Sequence, residues 1–410
     1  MKILIIGGNF YNKGAQAMTY ITCSEFRRKY PDCEIVMADA CTTGDEDNSN
    51  LRFTRTQDNM LIHMLYGGNL LERSLAECLL RLKEMKNGKS FGWREFGRAL
   101  QGTDCIIDVS GYTLGSNLPM TINFTFFYEL KMAYKQNIPI ILMPQSFGPF
   151  DFKNVRERIM DHYLKKYLKY PRLIYAREEK GYEQLQHRYG LTNMQLSKDM
   201  VLQSKRIDYN KVLYDIDDIQ TEKYPRNRVF IGIIPNSNLY KMENKETIDG
   251  YYIAIIQRLL KCRERVLLAY HSGSDRIICQ RLKQYFHDEE SVVYSDEEMD
   301  CFTFEKAAEQ MKFMISSRYH SIILGYKHDT PAIILAWADK YSELAKTFDQ
   351  SNYLFNVGKI INTQCILNAL DQMIEHYVRE SETIRIKCAD IQKANCFDGV
   401  FSVLNGEGSE

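Results

Sequence analysis

Arg318, Tyr319 and His320 are the consecutive residues whose types best suit chemistry on an anionic substrate. They follow the apolar run KFMISS at 312–317, which predicts a strand, and they open a helical pattern. The first turn of a helix favours an anion by about 0.3–1 kcal/mol. Arginine holds a carboxylate or phosphate in a planar fork, and histidine exchanges a proton near neutral pH. We therefore predict an anion-binding, proton-transferring turn, capped by one of the two serines that end the run.

Three more basic residues follow predicted strands. Arg177 ends the run LIYAR, Lys340 comes after PAIILAW, and His271 ends RVLLAYHS. Ligands of parallel sheets bind beyond the carboxyl ends of the strands, so these positions suit anion binding or proton transfer. The alternative interpretation makes Arg177 half of a surface ion pair with Glu178, which would contribute little. It also makes His320 a partly buried structural residue.

Two polar turns supply further candidates. The turn at 7–18 has glycines at a helix start but lacks the GxGxxG and GK[ST] patterns of dinucleotide and P-loop sites. The turn at 144–150, PQSFGPF, is shaped by two prolines and a glycine. The alternative interpretation is ordinary turn chemistry. The residues predicted to contact an acceptor or line a cleft are Asn9, Asn12, Lys13, Gln16, Gln145, Ser146 and, as noted, His271.

Composition excludes several classes of function. The 410 residues carry 53 basic and 53 acidic side chains, a balance that argues against nucleic-acid binding. The eleven cysteines contain no CxxC, and HExxH and GxSxG are absent, so we predict no metal site, no cofactor and no serine-hydrolase chemistry. MKILIIGG predicts a first strand and not a signal peptide, and no apolar run is long enough for an integral membrane segment. These features predict a cytoplasmic protein.

Continuous apolar runs, each followed by a turn and a helical stretch, predict strands of parallel sheets. Five precede a polar connection and five follow it, which predicts an α/β fold of two Rossmann-like domains facing across a cleft. The predicted domains are 1–205, a connection at 206–225, 226–362, and a C-terminal helical segment and tail at 363–410. The ten runs are 2–8, 34–39, 104–111, 138–148, 173–177, 228–236, 265–273, 291–295, 312–317 and 331–337.

Several motifs, taken in order, resemble the polysaccharide pyruvyl transferases over roughly residues 3–345. They are N-x-x-N-K-G at 9–14, PQSFGP at 144–149, AREEKGYEQL at 176–185, SSRYHSIILGYKHDTPAI at 316–333, and Lys340. The resemblance implies a fold like that of the GT-B glycosyltransferases. It also implies transfer of pyruvate from phosphoenolpyruvate to a hexose diol as a cyclic ketal, with release of phosphate. Bacterial capsule, exopolysaccharide or cell-wall glycan biosynthesis would use that reaction.

The same resemblance implies roles for individual residues. Arg177 and Arg318 would hold the carboxylate and phosphate of the donor, together with Lys340. Tyr319 would add a backbone contact, and His320 would be the acid/base group. The C-terminal domain would hold the donor and the N-terminal domain a hexose-containing acceptor. That acceptor could be free, nucleotide-bound or lipid-linked, and a lipid carrier would place the protein at the inner face of the membrane.

Two other functions remain open at this point. A GT-B glycosyltransferase with a nucleotide-sugar donor would bind that donor in the same C-terminal domain. A non-catalytic sugar- or anion-binding protein would use the same basic residues without any proton transfer at His320.

Overall fold

A computed structural model describes residues 1–39, 48–88, 92–205, 207–216, 228–294, 299–338, 340–357 and 362–406. The chain divides into two compact units. The first unit consists of Met1–Phe10, Met18–Ile216 and Asn395–Glu410, and the second of Tyr11–Ala17 and Asp217–Ala394. Of the predicted connection, residues 206 and 217–225 lie outside the described residues, and 207–216 belong to the first unit.

The first unit is built on a parallel sheet. Its described strands are β1 (Lys2–Gly8), β2 (Glu34–Asp39), β3 (Thr54–Gln57), β4 (Cys105–Asp108), β5 (Tyr112–Leu114), β6 (Ile140–Phe147), β7 (Leu173–Ala176) and β8 (Met194–Leu196). They are ordered β3-β2-β1-β4-β6-β7-β8, and β5 also pairs with β6. All eight residues of β6 are buried, as expected for a strand covered on both faces by helices.

The helices accompanying this sheet fill the intervals between its strands. They are α1 (Lys13–Lys29), which begins in the Tyr11–Ala17 segment, α2 (Met60–Gly67), α3 (Leu70–Asn87), α4 (Trp93–Leu100), α5 (Met120–Gln136), α6 (Val155–Tyr167), α7 (Glu179–Tyr189) and α8 (Met200–Gln203). A last helix, Cys396–Leu404, also belongs to the first unit. Apolar residues of α2 to α7 and of the strands form one core.

The second unit holds another parallel sheet. Its described strands are β9 (Phe230–Ile234), β10 (Arg265–Leu268), β11 (Val292–Tyr294), β12 (Met311–Ser316), β13 (Ala332–Ala336) and β14 (Leu354–Asn356). Its helices are α9 (Lys245–Lys261), α10 (Arg276–Tyr285), α11 (Cys301–Glu309), α12 (Tyr319–Lys327), α13 (Lys340–Thr347) and α14 (Thr363–Ile391). With Cys396–Leu404 numbered α15, this completes the described α-helices.

The strand order of the second sheet, β11-β10-β9-β12-β13-β14, creates one special position. The chain runs outward from β9 to β11 and then returns to place β12 on the other side of β9. Such a reversal leaves a crevice beyond the carboxyl ends of the central strands, where ligands of open α/β sheets bind. The turns after β9, β10 and β12 therefore form the expected binding edge of this unit.

All ten predicted runs contain a strand, but four strands were not predicted. They are β3, β5, β8 and β14, each three or four residues long. Their sequences TRTQ, YTL, MQL and LFN have too few apolar residues to give a periodic signal. Residue 295 of the predicted run 291–295 lies outside the described residues.

A buried ion pair links α11 and α12. Lys327 Nζ lies 2.7 Å from Glu305 Oε1, and both side chains are buried. Burial alone would raise the pKa of the Glu305 carboxyl, but the charge of Lys327, with a smaller contribution from His328, lowers that pKa to about 2. Removing one partner from such a pair leaves an uncompensated buried charge.

The substitution Lys327→Met should therefore lower the free energy of unfolding by about 3 kcal/mol at neutral pH. Lys393→Met is the matched control, because Lys393 pairs with Asp390 while both side chains are exposed. An exposed pair contributes at most about 1 kcal/mol, so the control should unfold almost like the wild type. Urea unfolding measures both variants, and equal effects would contradict this account of the pair.

Candidate functional site

The turn between β12 and α12 is held by its backbone. The carbonyl oxygen of Ser317 accepts hydrogen bonds from Asn236 Nδ2 at 2.7 Å, Tyr341 Oη at 2.7 Å and Trp337 Nε1 at 3.2 Å. Asn236 follows β9, and the other two donors follow β13. Three donors from the segments after β9 and β13 therefore fix the path of the chain as it leaves the central strand.

The start of α12 differs from the prediction in one detail. The helix begins at Tyr319, and Arg318 is the N-cap, with no hydrogen bond from its side chain to the first turn. Ser316 Oγ accepts from the Arg318 N–H at 3.1 Å, and this serine lies two positions before the N-cap residue. The predicted serine cap is wrong, because Arg318 occupies that position.

The guanidinium of Arg318 is oriented by a buried carboxylate. Its Nε donates to Asp275 Oδ2 at 2.7 Å, and its Nη2 donates to Asp275 Oδ1 at 2.6 Å. Asp275 is fully buried and also accepts the Ser237 N–H at 2.8 Å. The Nη1 group donates to no residue that the structure describes. The fork is thus fixed on one side, and its Nη1 group keeps donors for a ligand.

Two lysines place their ammonium groups over aromatic rings in the same unit. Lys340 Nζ lies 5.0 Å from the centre of the Tyr319 ring and 5.4 Å from that of Trp337. Lys13 Nζ lies 5.3 Å from the centre of the Tyr270 ring, and Lys13 is only 1% exposed. Cation–π contacts of this kind help to hold both ammonium groups in place within this unit.

Gly14 allows α1 to begin directly against His320. A Cβ atom at Gly14 would lie 2.1 Å from His320 Cγ, closer than any side chain can approach. Asn12 fixes this approach, since its Oδ1 accepts the Gly14 N–H at 2.9 Å and its backbone pairs with Ser272 in an antiparallel bridge. His320 itself is half-buried. The Tyr11–Ala17 segment therefore belongs to the surroundings of His320.

Two other candidates from the first polar turn separate. Gln16 is buried in the second unit, where its Oε1 accepts the Cys301 N–H at 2.8 Å. Asn9 belongs to the first unit and is partly exposed. The candidate residues at 9–16 thus divide between the two units, with Asn12, Lys13 and Gln16 in the second.

His271 is a buried, neutral imidazole beyond the carboxyl end of β10. Its ring meets that of Phe304 edge to face, with 5.2 Å between centroids. Burial, followed by the positive charges of Lys13, Arg318 and His320, lowers the pKa of His271 well below 6.5. Neither ring nitrogen hydrogen-bonds with a described residue. At neutral pH His271 is therefore uncharged and cannot act as an acid in its imidazolium form.

In the first unit the structure brings Arg177 and Ser146 together. Arg177 Nη1 donates to Asp199 Oδ2 at 2.6 Å, and Nη2 donates to the Gly111 carbonyl at 2.7 Å and to Ser146 Oγ at 2.8 Å. The arginine side chain is buried. These contacts tie the end of β6 to the turns after β4, β7 and β8. That Arg177 contacts the donor remains a prediction.

Gln145 lies beside this group, at the end of β6. It is fully buried, and its Nε2 donates to Asp108 Oδ2 at 2.9 Å while its Oε1 accepts from Thr113 Oγ1 at 3.1 Å. Burial raises the pKa of the Asp108 carboxyl. Gln145 therefore helps to build the carboxyl edge of the first sheet.

The acidic partners of the two arginines were not predicted. Asp275 pairs with Arg318, and Asp199 pairs with Arg177. A usable signal existed, because Asp275 lies in the HSGSD turn after β10 and Asp199 lies just after β8. An acid at the carboxyl edge of a sheet that also carries a basic candidate is a natural partner for it.

Comparison with known families identifies one match over most of the chain. The family model described as "Polysaccharide pyruvyl transferase" matches residues 12–339. The match includes the residues around Arg177 and the whole turn at Arg318 to His320. No curated protein is similar enough in sequence to count as a relative.

Solved structures share the fold at low sequence identity. The UDP-GlcNAc 2-epimerase of Neisseria meningitidis bound to UDP-GlcNAc has a TM-score of 0.57 and 14% identity, with 94% of each chain covered. A UDP-glucose:anthocyanidin 3-O-glucosyltransferase in complex with UDP has a TM-score of 0.57 and 10% identity, with 99% of each chain covered. A spinosyn rhamnosyltransferase gives 0.56 and 8%, covering 99% of this chain and all of the other.

These similarities show the fold alone. They confirm the prediction of a GT-B-like fold with two parallel-sheet α/β domains. Among the described helices, none has the length and apolar character needed to cross a membrane.

The depressed pKa of His271 predicts a pH dependence of stability. Below the usual value of 6.5 the unfolded chain gains a proton at this histidine while the folded chain does not, so the free energy of unfolding falls with falling pH. Between about pH 7.5 and about pH 5.5 the wild type should lose about 1 kcal/mol more stability than His271→Phe. Urea unfolding at both pH values tests this, with exposed His287→Phe as the control. Equal losses in wild type and His271→Phe would contradict a neutral His271.

Proposed function

The chain belongs to the polysaccharide pyruvyl transferase family, and from that premise we propose that it transfers pyruvate from phosphoenolpyruvate to two hydroxyls of a hexose. The product is a cyclic ketal, and phosphate is released. The observation that carries the proposal is the guanidinium of Arg318, aimed by a buried Asp275 and grouped in one unit with Lys13 and Lys340. Phosphoenolpyruvate carries up to three negative charges, which the guanidinium and the two ammonium groups would partly offset.

The start of α12 supplies further donors for the phosphoenolpyruvate. The first turn of a helix has backbone N–H groups without partners in the helix, and these bind phosphate or carboxylate. Helix α12 begins at Tyr319, so we propose that the N–H groups of its first turn contact the donor. Arg318 Nη1 would add a directed hydrogen bond to the same ligand.

The proposed reaction needs a proton at the methylene carbon of the donor. His320 gives that proton, the double bond becomes a C–H bond, and the central carbon becomes cationic. One sugar hydroxyl forms a C–O bond to that carbon and gives its proton back to His320, and phosphate then leaves with the electrons of its C–O bond. The second hydroxyl forms a C–O bond to the same carbon, which closes the ring, and its proton goes to the released phosphate. No oxidant or reductant is required. A histidine near the donor can supply the first proton and take one from a hydroxyl.

For the acceptor we propose the first unit. Gln145 and Ser146 lie at the carboxyl edge of its sheet, the edge where α/β proteins bind ligands. Arg177 holds this edge together through Ser146 and Gly111. We place the reaction in the cytoplasm. If the hexose is carried on a lipid, the reaction takes place at the inner face of the membrane.

The assay that tests the proposal measures phosphate release from phosphoenolpyruvate in the presence of a galactoside acceptor. We expect release to depend on the acceptor, and we expect His320→Ala to reduce the rate by about 10²–10⁴-fold, because a positioned acid/base group contributes about that much. His287→Ala, at an exposed histidine of the same unit, is the control and should keep the wild-type rate. Turnover of a nucleotide sugar without phosphate release would favour a glycosyltransferase, and full activity of His320→Ala would refute its role.

A second experiment tests Arg318 as a donor ligand. Arg318→Lys keeps the charge but loses the planar fork, so the KM for phosphoenolpyruvate should rise by at least about tenfold. Arg258→Lys is the matched control, because Arg258 forms a similar two-bond pair with Asp371 on the surface. An unchanged KM in Arg318→Lys would remove Arg318 from the donor site.

A further inference from the structure

Helix α3 of the first unit has apolar residues on two opposite sides. It begins at an Asn69 capping box with Glu72 and ends at the left-handed Gly88. One side packs on the core through Ala76 and Leu80, both fully buried. The other side is open to solvent along its whole length, with Leu71 82%, Leu75 54%, Leu82 54% and Met85 81% exposed, and with Cys78 exposed between them.

The exposed row on α3 has a regular spacing of alternating four-residue and three-residue intervals. Its members, Leu71, Leu75, Cys78, Leu82 and Met85, are separated by four, three, four and three residues. An apolar repeat that averages 3.5 residues is the pattern with which one helix packs along another in a coiled coil. At 1.5 Å per residue the row is about 20 Å long. Contiguous apolar surface of this kind on a monomer marks an interaction site.

The pattern favours a helix over a lipid bilayer as the occupant. A bilayer needs only an apolar side and gains nothing from a 3.5-residue repeat. Helices that lie on membranes also carry a polar face rich in lysine and arginine. Helix α3 is nearly neutral, since its four basic residues are accompanied by three carboxylates: Arg73, Arg81, Lys83 and Lys86 beside Glu72, Glu77 and Glu84.

We propose that the row on α3 pairs with the same row of a second copy of this chain, with the two helices antiparallel. Charges beside the row set the direction, as residues flanking a coiled-coil seam do. Parallel pairing would set Arg81 of one copy against Lys86 of the other, a repulsive contact. Antiparallel pairing avoids that contact, because it sets Arg81 and Lys86 of one copy at opposite ends of the seam from the same residues of the other. It also sets the two helix dipoles head to tail.

A two-fold axis is the natural symmetry of such a pair. Cys78 is the middle member of the row, seven residues from Leu71 and seven from Met85. In the antiparallel dimer the axis passes near Cys78, and Leu71 of one copy lies near Met85 of the other. Two Leu71 side chains would then be about 20 Å apart, as would two Met85 side chains.

The first test is the mass in solution. We expect the wild type to sediment as a dimer of the 48.0 kDa chain, and Leu75→Glu combined with Leu82→Glu to sediment as a folded monomer at the same concentration. The matched control combines Val378→Glu with Ile386→Glu, because these residues of α14 are 67% and 56% exposed. The control should remain a dimer. A monomeric wild type, or a dimer that survives the α3 substitutions, overturns the proposal.

The second test is the direction of pairing, and it does not depend on the charged variants. In a Cys78→Ser background, Leu71→Cys and Met85→Cys are prepared as separate proteins and treated with a short bismaleimide. We expect little cross-linking through these positions in either protein alone and efficient cross-linking when the two are mixed. Equal cross-linking in each protein alone would indicate parallel pairing and overturn the antiparallel arrangement.

A vesicle experiment distinguishes a lipid surface from a second copy of the chain as the partner of the row on α3. Wild-type protein is floated with vesicles of neutral and anionic phospholipid, alongside the Leu75→Glu and Leu82→Glu double variant. We expect no difference between the two proteins in the fraction that floats. Binding by a monomeric wild type that the double variant loses would assign the row to a lipid surface and overturn the dimer.

Discussion

The candidate site depends on the ion pair between Arg318 and Asp275. A carboxylate as deeply buried as Asp275 is costly unless it is paired and fully hydrogen-bonded. Two bonds from the guanidinium and one from the Ser237 N–H meet that need. In return the arginine loses its freedom to rotate and keeps only part of its donor capacity. The pair thus joins the turns after β10 and β12 and fixes the direction in which the remaining donors face.

The turn between β12 and α12 is also fixed by hydrogen bonds to its backbone, at the Ser317 carbonyl. Three side-chain donors converge on the Ser317 carbonyl, so the peptide that precedes Arg318 is fixed as firmly as its guanidinium. Gly14 adds a steric condition, because only a residue without Cβ lets α1 begin against His320. Glycine within a helix costs up to about 1 kcal/mol relative to alanine. That cost is consistent with a position selected for contact with His320 and not for helix stability.

The sequence was sufficient to predict the sheets but not every strand or partner. Long apolar runs such as that of β6 predicted buried parallel strands. The short polar sequence TRTQ of β3 has no such signal, and this strand is recognised only from its pairing with β2. Arg318 was found from its position after a strand. Its partner Asp275 was not, because an acid in a turn has no periodic signal and its burial arises only when α10 packs beside it. The placement of Lys13 with the second unit likewise depends on contacts distant in sequence, such as that with Tyr270.

The proposed donor site and the apolar row on α3 differ in their physical basis. The proposed donor site consists of directed charges held by buried hydrogen bonds, while the row on α3 is apolar and owes its specificity to spacing. A crystal structure with phosphoenolpyruvate bound tests the proposed donor site most directly. The account predicts that the ligand lies at the start of α12, with an oxygen within hydrogen-bond distance of Arg318 Nη1 and its methylene carbon facing His320. Phosphoenolpyruvate bound elsewhere, or excluded from this turn, would contradict it.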